Sequence, residues 1–140
     1  MVWQDTRTAT QVAGMARNGG PNRFRATTGL PLAPGFSAQH MRWLLNHLPG
    51  LRSRACSGDL LFGTTDSWLI WSLTGQHITD VTNASFTQMM DLTRRDWDQQ
   101  VQAADGFPRA AWPRTVASSA LHGTRRGERE GVQLSGEVGY

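Results

Sequence analysis

Apolar residues recur at helical spacing in the first third of the chain. Ala9, Val12, Ala13 and Ala16 fall at i, i+3, i+4 and i+7, which predicts a helix over residues 6–18 that stops at Gly19-Gly20-Pro21. Residues 21–36 break every period, because Pro21, Gly29, Pro31, Pro34 and Gly35 punctuate them, and they read as loop. Ser37 is then placed to cap a second helix, with Met41, Leu44, Leu45 and Leu48 on one face and Pro49-Gly50 as its stop. Residues Leu51 to Ser57 allow two helical turns at most, closed by Gly58.

The middle of the chain carries the densest apolar run. Leu60-Leu61-Phe62 predicts a short strand, Gly63 a turn, and residues 65–74 a helix with Thr65 as cap and Asp66 at the positive end of its dipole. Trp68, Leu69, Ile70, Trp71 and Leu73 leave that helix apolar nearly all round, which predicts burial on several sides, and Gly75 suits its left-handed end. Further on, residues 87–92 are compatible with a strand. Trp97, Val101 and Ala104 keep helical spacing behind Asp96 as cap, towards a stop at Asp105-Gly106. Charge and glycine dominate Thr124 to Gly131, the composition of a solvated loop.

Composition narrows the class. With 140 residues and 39% hydrophobic content, one domain with a modest core is expected, and no run of 18 apolar residues offers a membrane span. All 14 basic residues are arginine, yet they are scattered among 11 acidic ones, so no basic surface for nucleic acid is expected. A lone Cys56 cannot close an internal disulfide, and no secretory leader is legible, so a cytoplasmic location is expected. Cys56 reads as a small side chain rather than a reactive thiol.

Four motifs, in register, resemble one family. They are Val2-Trp3-Gln4-Asp5 with Arg7-Thr8; Thr28-Gly29-Leu30 through Trp43-Leu44-Leu45; Leu61-Phe62-Gly63-Thr64 with Asp66 through Gly75; and Thr79-Asp80 with Thr82-Asn83-Ala84-Ser85. They resemble V-W-Q-D-x-R-T, T-G-L…P-Y-F-S…K-x-W-L-L, L-F-G-T with D-T-W-L-I-W-K-L-T-G, and T-D-Y-T-N-A-S of the FGGY carbohydrate kinases, its glycerol kinase branch above all. The resemblance covers about residues 2–122. It implies an α/β fold, a helix-rich part of an actin-like, ribonuclease-H-like FGGY N-terminal domain, with residues 1–140 forming a single incomplete domain.

It also implies site residues. Trp3 matches the family's polyol-facing tryptophan, whose aromatic face suits the C–H side of a polyol. Gly35 stands where the family has a substrate-contacting tyrosine, and His40 where its signature has lysine. His40 is expected at the surface, without a catalytic role. The C-terminal Leu134 to Tyr140 resembles I-S-G-x-A-G-D-Q, with Tyr140 at the catalytic aspartate's position. A phenol is a poor base near neutral pH, so no catalytic residue and no metal ligand are assigned. The family's phosphate-cradling D-x-G-T-T-S and its nucleotide-binding C-terminal domain have no counterpart in these residues. ATP and Mg2+ are accordingly expected in intact relatives rather than on this chain alone. The expected role is a fragment of an ATP-dependent polyol or sugar kinase. The alternative is a non-catalytic interaction module for a full-length kinase, its partner a missing half or a second copy.

Overall fold

A computed structural model of the chain describes residues 1–124 and 133–135. Its first helix, α1 (Ala9–Ala16), turns Val12 and Met15 to the core and leaves Ala9 and Ala13 exposed, one step round from the expected stripe. The stretch expected as loop contains one turn of helix, α2 (Arg25–Thr28). Gly29 closes it at φ 73°, and the Thr28 hydroxyl donates back to the Phe24 carbonyl at 2.9 Å. Local hydrogen bonds from Thr27 and Thr28 hold a turn that sequence periodicity is too short to reveal.

Two helices follow as expected, α3 (Ser37–His47) and α4 (Leu51–Ser57), the latter between Gly50 and Gly58, both left-handed. Ser37 is the first helical residue rather than the cap. Phe36 holds the cap position, and the Ala38 N–H instead donates to the Thr87 carbonyl at 3.0 Å. Helix α5 (Thr65–Thr74) ends at Gly75, φ 77°, as expected. Its cap position is Thr64, not Thr65.

Among the described residues the expected strand at Leu60–Phe62 has no strand partner. Of its backbone, Phe62 N–H reaches the Ala111 carbonyl at 2.7 Å, and His77 Nε2 donates to the Phe62 carbonyl at 2.6 Å. The expectation for α5 fails more broadly. Only Ser67 and Ile70 are buried, whereas Trp68 is 67%, Leu69 50% and Trp71 42% exposed.

Among the described residues the strands form three two-stranded sheets. Strands β1 (Ile78–Asp80) and β4 (Arg114–Val116) pair in parallel, Ile78 beside Arg114 and Asp80 beside Val116. Between them lie α6 (Val81–Ser85), capped by Asp80 accepting from Asn83 N–H at 2.6 Å, and the antiparallel pair β2 (Met90–Asp91) and β3 (Asp96–Trp97). Helix α7 (Gln99–Asp105) is capped by Asp98, whose carboxylate accepts from Gln100 and Val101 N–H at 2.7 and 2.9 Å. The expected cap, Asp96, and Trp97 belong to β3 instead, because pairing with β2 outcompetes an earlier helix start. Residues Leu121–Thr124 (β5) and Gln133–Ser135 (β6) form the third pair. Apart from Thr124, the stretch expected as a solvated loop lies outside the described residues.

The core centres on four aromatic rings. Trp112 packs against Trp97, Phe107 and Phe62 with centroids 4.9, 5.3 and 5.9 Å apart, and Trp97 Nε1–H donates to the Pro113 carbonyl at 2.7 Å. Each such ring contributes about 1.5–3 kcal/mol by burial. Met41 and Leu45 of α3, Ala55 of α4 and Val101 of α7 join this cluster, so the helices share one core with the turn at 107–113.

Candidate functional site

The first eight residues fold into a turn that displays a tryptophan. Asp5 N–H donates to the Val2 carbonyl at 2.9 Å, and the Asp5 carboxylate accepts from Arg7 N–H at 3.0 Å and Arg7 Nε–H at 2.9 Å. The Arg7 amide above all, with its guanidinium, holds the Asp5 carboxyl below its ordinary pKa. The Arg7 guanidinium lies 4.9 Å from the Trp43 ring centre, and Trp43 stacks on His47 at 4.1 Å. This turn leaves Trp3 74% exposed.

Gly35 sits directly beside it. A Cβ on Gly35 would come within 2.8 Å of the Trp3 backbone oxygen. The loop carrying Gly35 is fixed from beneath. The buried Thr8 hydroxyl donates to the Pro34 carbonyl at 2.8 Å, and a chain of glutamines runs under the loop. Gln11 Nε2 donates to Gln39 Oε1 at 3.1 Å, Gln39 Nε2 to Gln88 Oε1 at 2.8 Å, and Gln88 Nε2 to the Pro31 carbonyl. Gln88 is fully buried and held at φ 70°, a left-handed conformation costing about 1–3 kcal/mol that its neighbours must enforce.

His40 corrects the sequence reading. Its place on the inner side of α3 makes it only 7% exposed, and its Nε2 has no hydrogen-bond partner among the described residues. Burial pushes its pKa down, against the Asp5 backbone and charge, which pull it up. The expected surface histidine is therefore a buried one beside Asp5, brought there by a contact between α3 and the 1–8 turn that no local pattern announces.

The structure thus brings Trp3, Gly35, Asp5 and His40 into one locality, whereas Tyr140 lies outside the described residues. Sequence reasoning missed Asp5, whose only local signal is Arg7 two residues on. Among the described residues no three histidine, cysteine or carboxylate side chains converge on a possible metal position. Nor is any helix among the described residues long and apolar enough to cross a membrane.

Residues 1–135 match the model of the FGGY family of carbohydrate kinases, N-terminal domain. The chain belongs to this family. Glycerol kinase of Methylorubrum extorquens is 53% identical over 144 residues, which covers 99% of this chain and 29% of the relative. Among solved structures, Plasmodium falciparum glycerol kinase with ADP superposes with a TM-score of 0.91 at 27% identity, over 97% of this chain and 28% of that one. A xyloylose kinase from Brucella ovis gives 0.82 at 25% identity, over 96% and 28%. This FGGY chain therefore spans just under three tenths of the length of the relatives it matches. Its fold is part of the α/β N-terminal domain expected from its motifs.

Proposed function

We propose that the chain supplies the polyol-facing wall of the N-terminal domain in an ATP-dependent kinase of glycerol or a related polyol. The observation that carries this reading is Trp3, an exposed indole whose turn is locked by Asp5 and Arg7 and whose backbone touches Gly35. An indole face removes water from the C–H side of a polyol while leaving its hydroxyls open to polar groups. Gly35 adds no side chain over the indole, so the wall is more open than a second aromatic would make it.

In such a kinase ATP supplies the phosphoryl group, with Mg2+ offsetting its charge. This chain's residues orient the acceptor. Neither ATP nor Mg2+ binding is assigned to the chain alone. A cytoplasmic setting accords with Cys56, free and exposed.

The test is a chimera in which these residues replace the matched part of Methylorubrum extorquens glycerol kinase. Trp3→Ala should weaken kcat/KM for glycerol by roughly 5- to 150-fold, mainly through KM, the loss expected for about 1–3 kcal/mol of apolar contact. Unchanged kinetics for every polyol tried, together with a lower melting temperature, would make Trp3 a structural residue instead.

A further inference from the structure

Residues 31–35 carry Gly35 to its place beside Trp3 without belonging to any helix or strand. Pro31 and Pro34 have no N–H to offer, so few backbone groups can tie the loop down. Leu32 N–H donates to the Pro21 carbonyl at 2.7 Å, and the Pro34 carbonyl accepts from the Thr8 hydroxyl at 2.8 Å. The Pro31 carbonyl is met from much further away, by the side chain of Gln88, 57 residues on.

Gln88 is a costly tether for such a contact. Its side chain is fully buried and its backbone stands at φ 70°, a conformation that long side chains rarely adopt. Both of its neighbours are tied: the Thr87 carbonyl accepts from Ala38 N–H at 3.0 Å, and the Met89 carbonyl from Asp98 N–H at 2.7 Å. Glycine or asparagine would hold this backbone with less strain. Glycine has no amide side chain, however, and asparagine is one methylene shorter. A side-chain amide carries a donor and an acceptor together, so Gln88 accepts from Gln39 at 2.8 Å while donating to Pro31. Gln39 does the same between Gln88 and Gln11 of α1. The chain of bonds closes on itself, because Thr8, directly before α1, returns to the loop at Pro34. The turn of Trp3 and the loop of Gly35 are thus two arcs of one ring, and Gln88 joins that ring to β2.

We infer that Gln88 is a positioning residue for the polyol-facing wall: through the Pro31 carbonyl it fixes loop 31–35, and through Gly35 the place of Trp3. The inference rests on the wall assigned above. A strained residue standing where an easier one would hold the backbone marks a position at which the reach of the side chain is what counts. Gln88 touches no substrate itself. A fully satisfied buried network is stiff, so a loop hung on it holds one place against the Trp3 backbone. Contact between an indole and a carbon chain differs little between ground and transition states. A displaced wall therefore raises KM and leaves kcat nearly unchanged.

Gln88→Asn and Gln88→Gly both suit the left-handed backbone and both release Pro31, so either one carries the test if the other fails to fold. In the 140-residue chain labelled with 5-fluorotryptophan, the fluorine resonance of Trp3 is identified by its loss in Trp3→Phe. That resonance should move in the Gln88 variants while far-ultraviolet circular dichroism stays unchanged. In the chimera with Methylorubrum extorquens glycerol kinase, the same variants should raise KM for glycerol by about 3- to 30-fold with kcat held within about twofold. A Trp3 resonance that stays in place in the folded variants overturns the inference. So does an unchanged KM in a chimera where Trp3→Ala raises it. Equal changes in Asp98→Ala, which weakens the fold at α7, also overturn it, since general loosening would then account for them. Unaltered kinetics in the Trp3→Ala chimera, beside Gln88 variants whose Trp3 resonance still moves, remove the wall reading and leave the positioning standing.

Discussion

Thr79 and Asp66 join β1 to the start of α5: the Thr79 hydroxyl donates to Asp66 Oδ2 at 2.6 Å. The same carboxylate accepts from Asp80 N–H at 3.4 Å, and its other oxygen accepts from the Thr64 hydroxyl. Asp66 thus does more than offset the helix dipole, since it carries the registry between a helix with little buried surface and the strand it packs on. Asp66→Ala should lower unfolding free energy by about 1–3 kcal/mol, the scale of charge-assisted hydrogen bonds left unmade. Thr79→Val alone should cost less, and a double-mutant cycle in urea should return a coupling above about 0.5 kcal/mol. Additive losses would show the two side chains act independently.

Acid should weaken the fold through His40, which is buried, and His77, which is half-buried. His40 and His77 are both held below the ordinary histidine pKa, in each case chiefly by burial. A lowered folded value means that the unfolded chain takes up the proton first. The stability these neutral rings contribute is present above the unfolded pKa near 6.5 and is lost as pH falls below it. Urea midpoints should therefore drop between pH 7.5 and pH 5. His40→Gln and His77→Gln should each flatten that slope, whatever they do to the midpoint at pH 7.5. An unchanged slope in both would place the acid sensitivity elsewhere.

At Gly35 any side chain meets backbone rather than a flexible tip. Gly35→Ala puts a methyl 2.8 Å from the Trp3 oxygen, so the 1–8 turn must shift. The expected cost is about 1–3 kcal/mol, as for an overpacked contact. Denaturant unfolding reports that cost. Iodide quenching should also show altered access to Trp3 relative to the Trp3→Phe background. A neutral Gly35→Ala would mean that the turn yields freely.

Asp98, not Asp96, starts α7. Asp98→Ala should therefore cost about 1 kcal/mol, with faster exchange at the Gln100 and Val101 amides. Asp96→Ala should leave those amides unchanged. The reverse ranking would return the helix start to the earlier residue.

What the sequence determined by itself is whatever depends on near neighbours. Helices α1, α3, α4 and α5 were legible because apolar spacing and the glycines at 58 and 75 act within a turn or two. Family membership was legible too, from motifs that keep their order along the chain. Tertiary structure alone decided the rest. Residues 78–80 and 114–116 are strands only because they meet across 36 residues, and neither has a pattern of its own. His40 and Gly35 share a locality with Trp3 because α3 and the loop before it pack on the 1–8 turn. The α5 stripe misled for the same reason. An all-apolar helix states that its faces are to be covered, but what covers Trp68 depends on which chain segments surround it, and among the described residues none does.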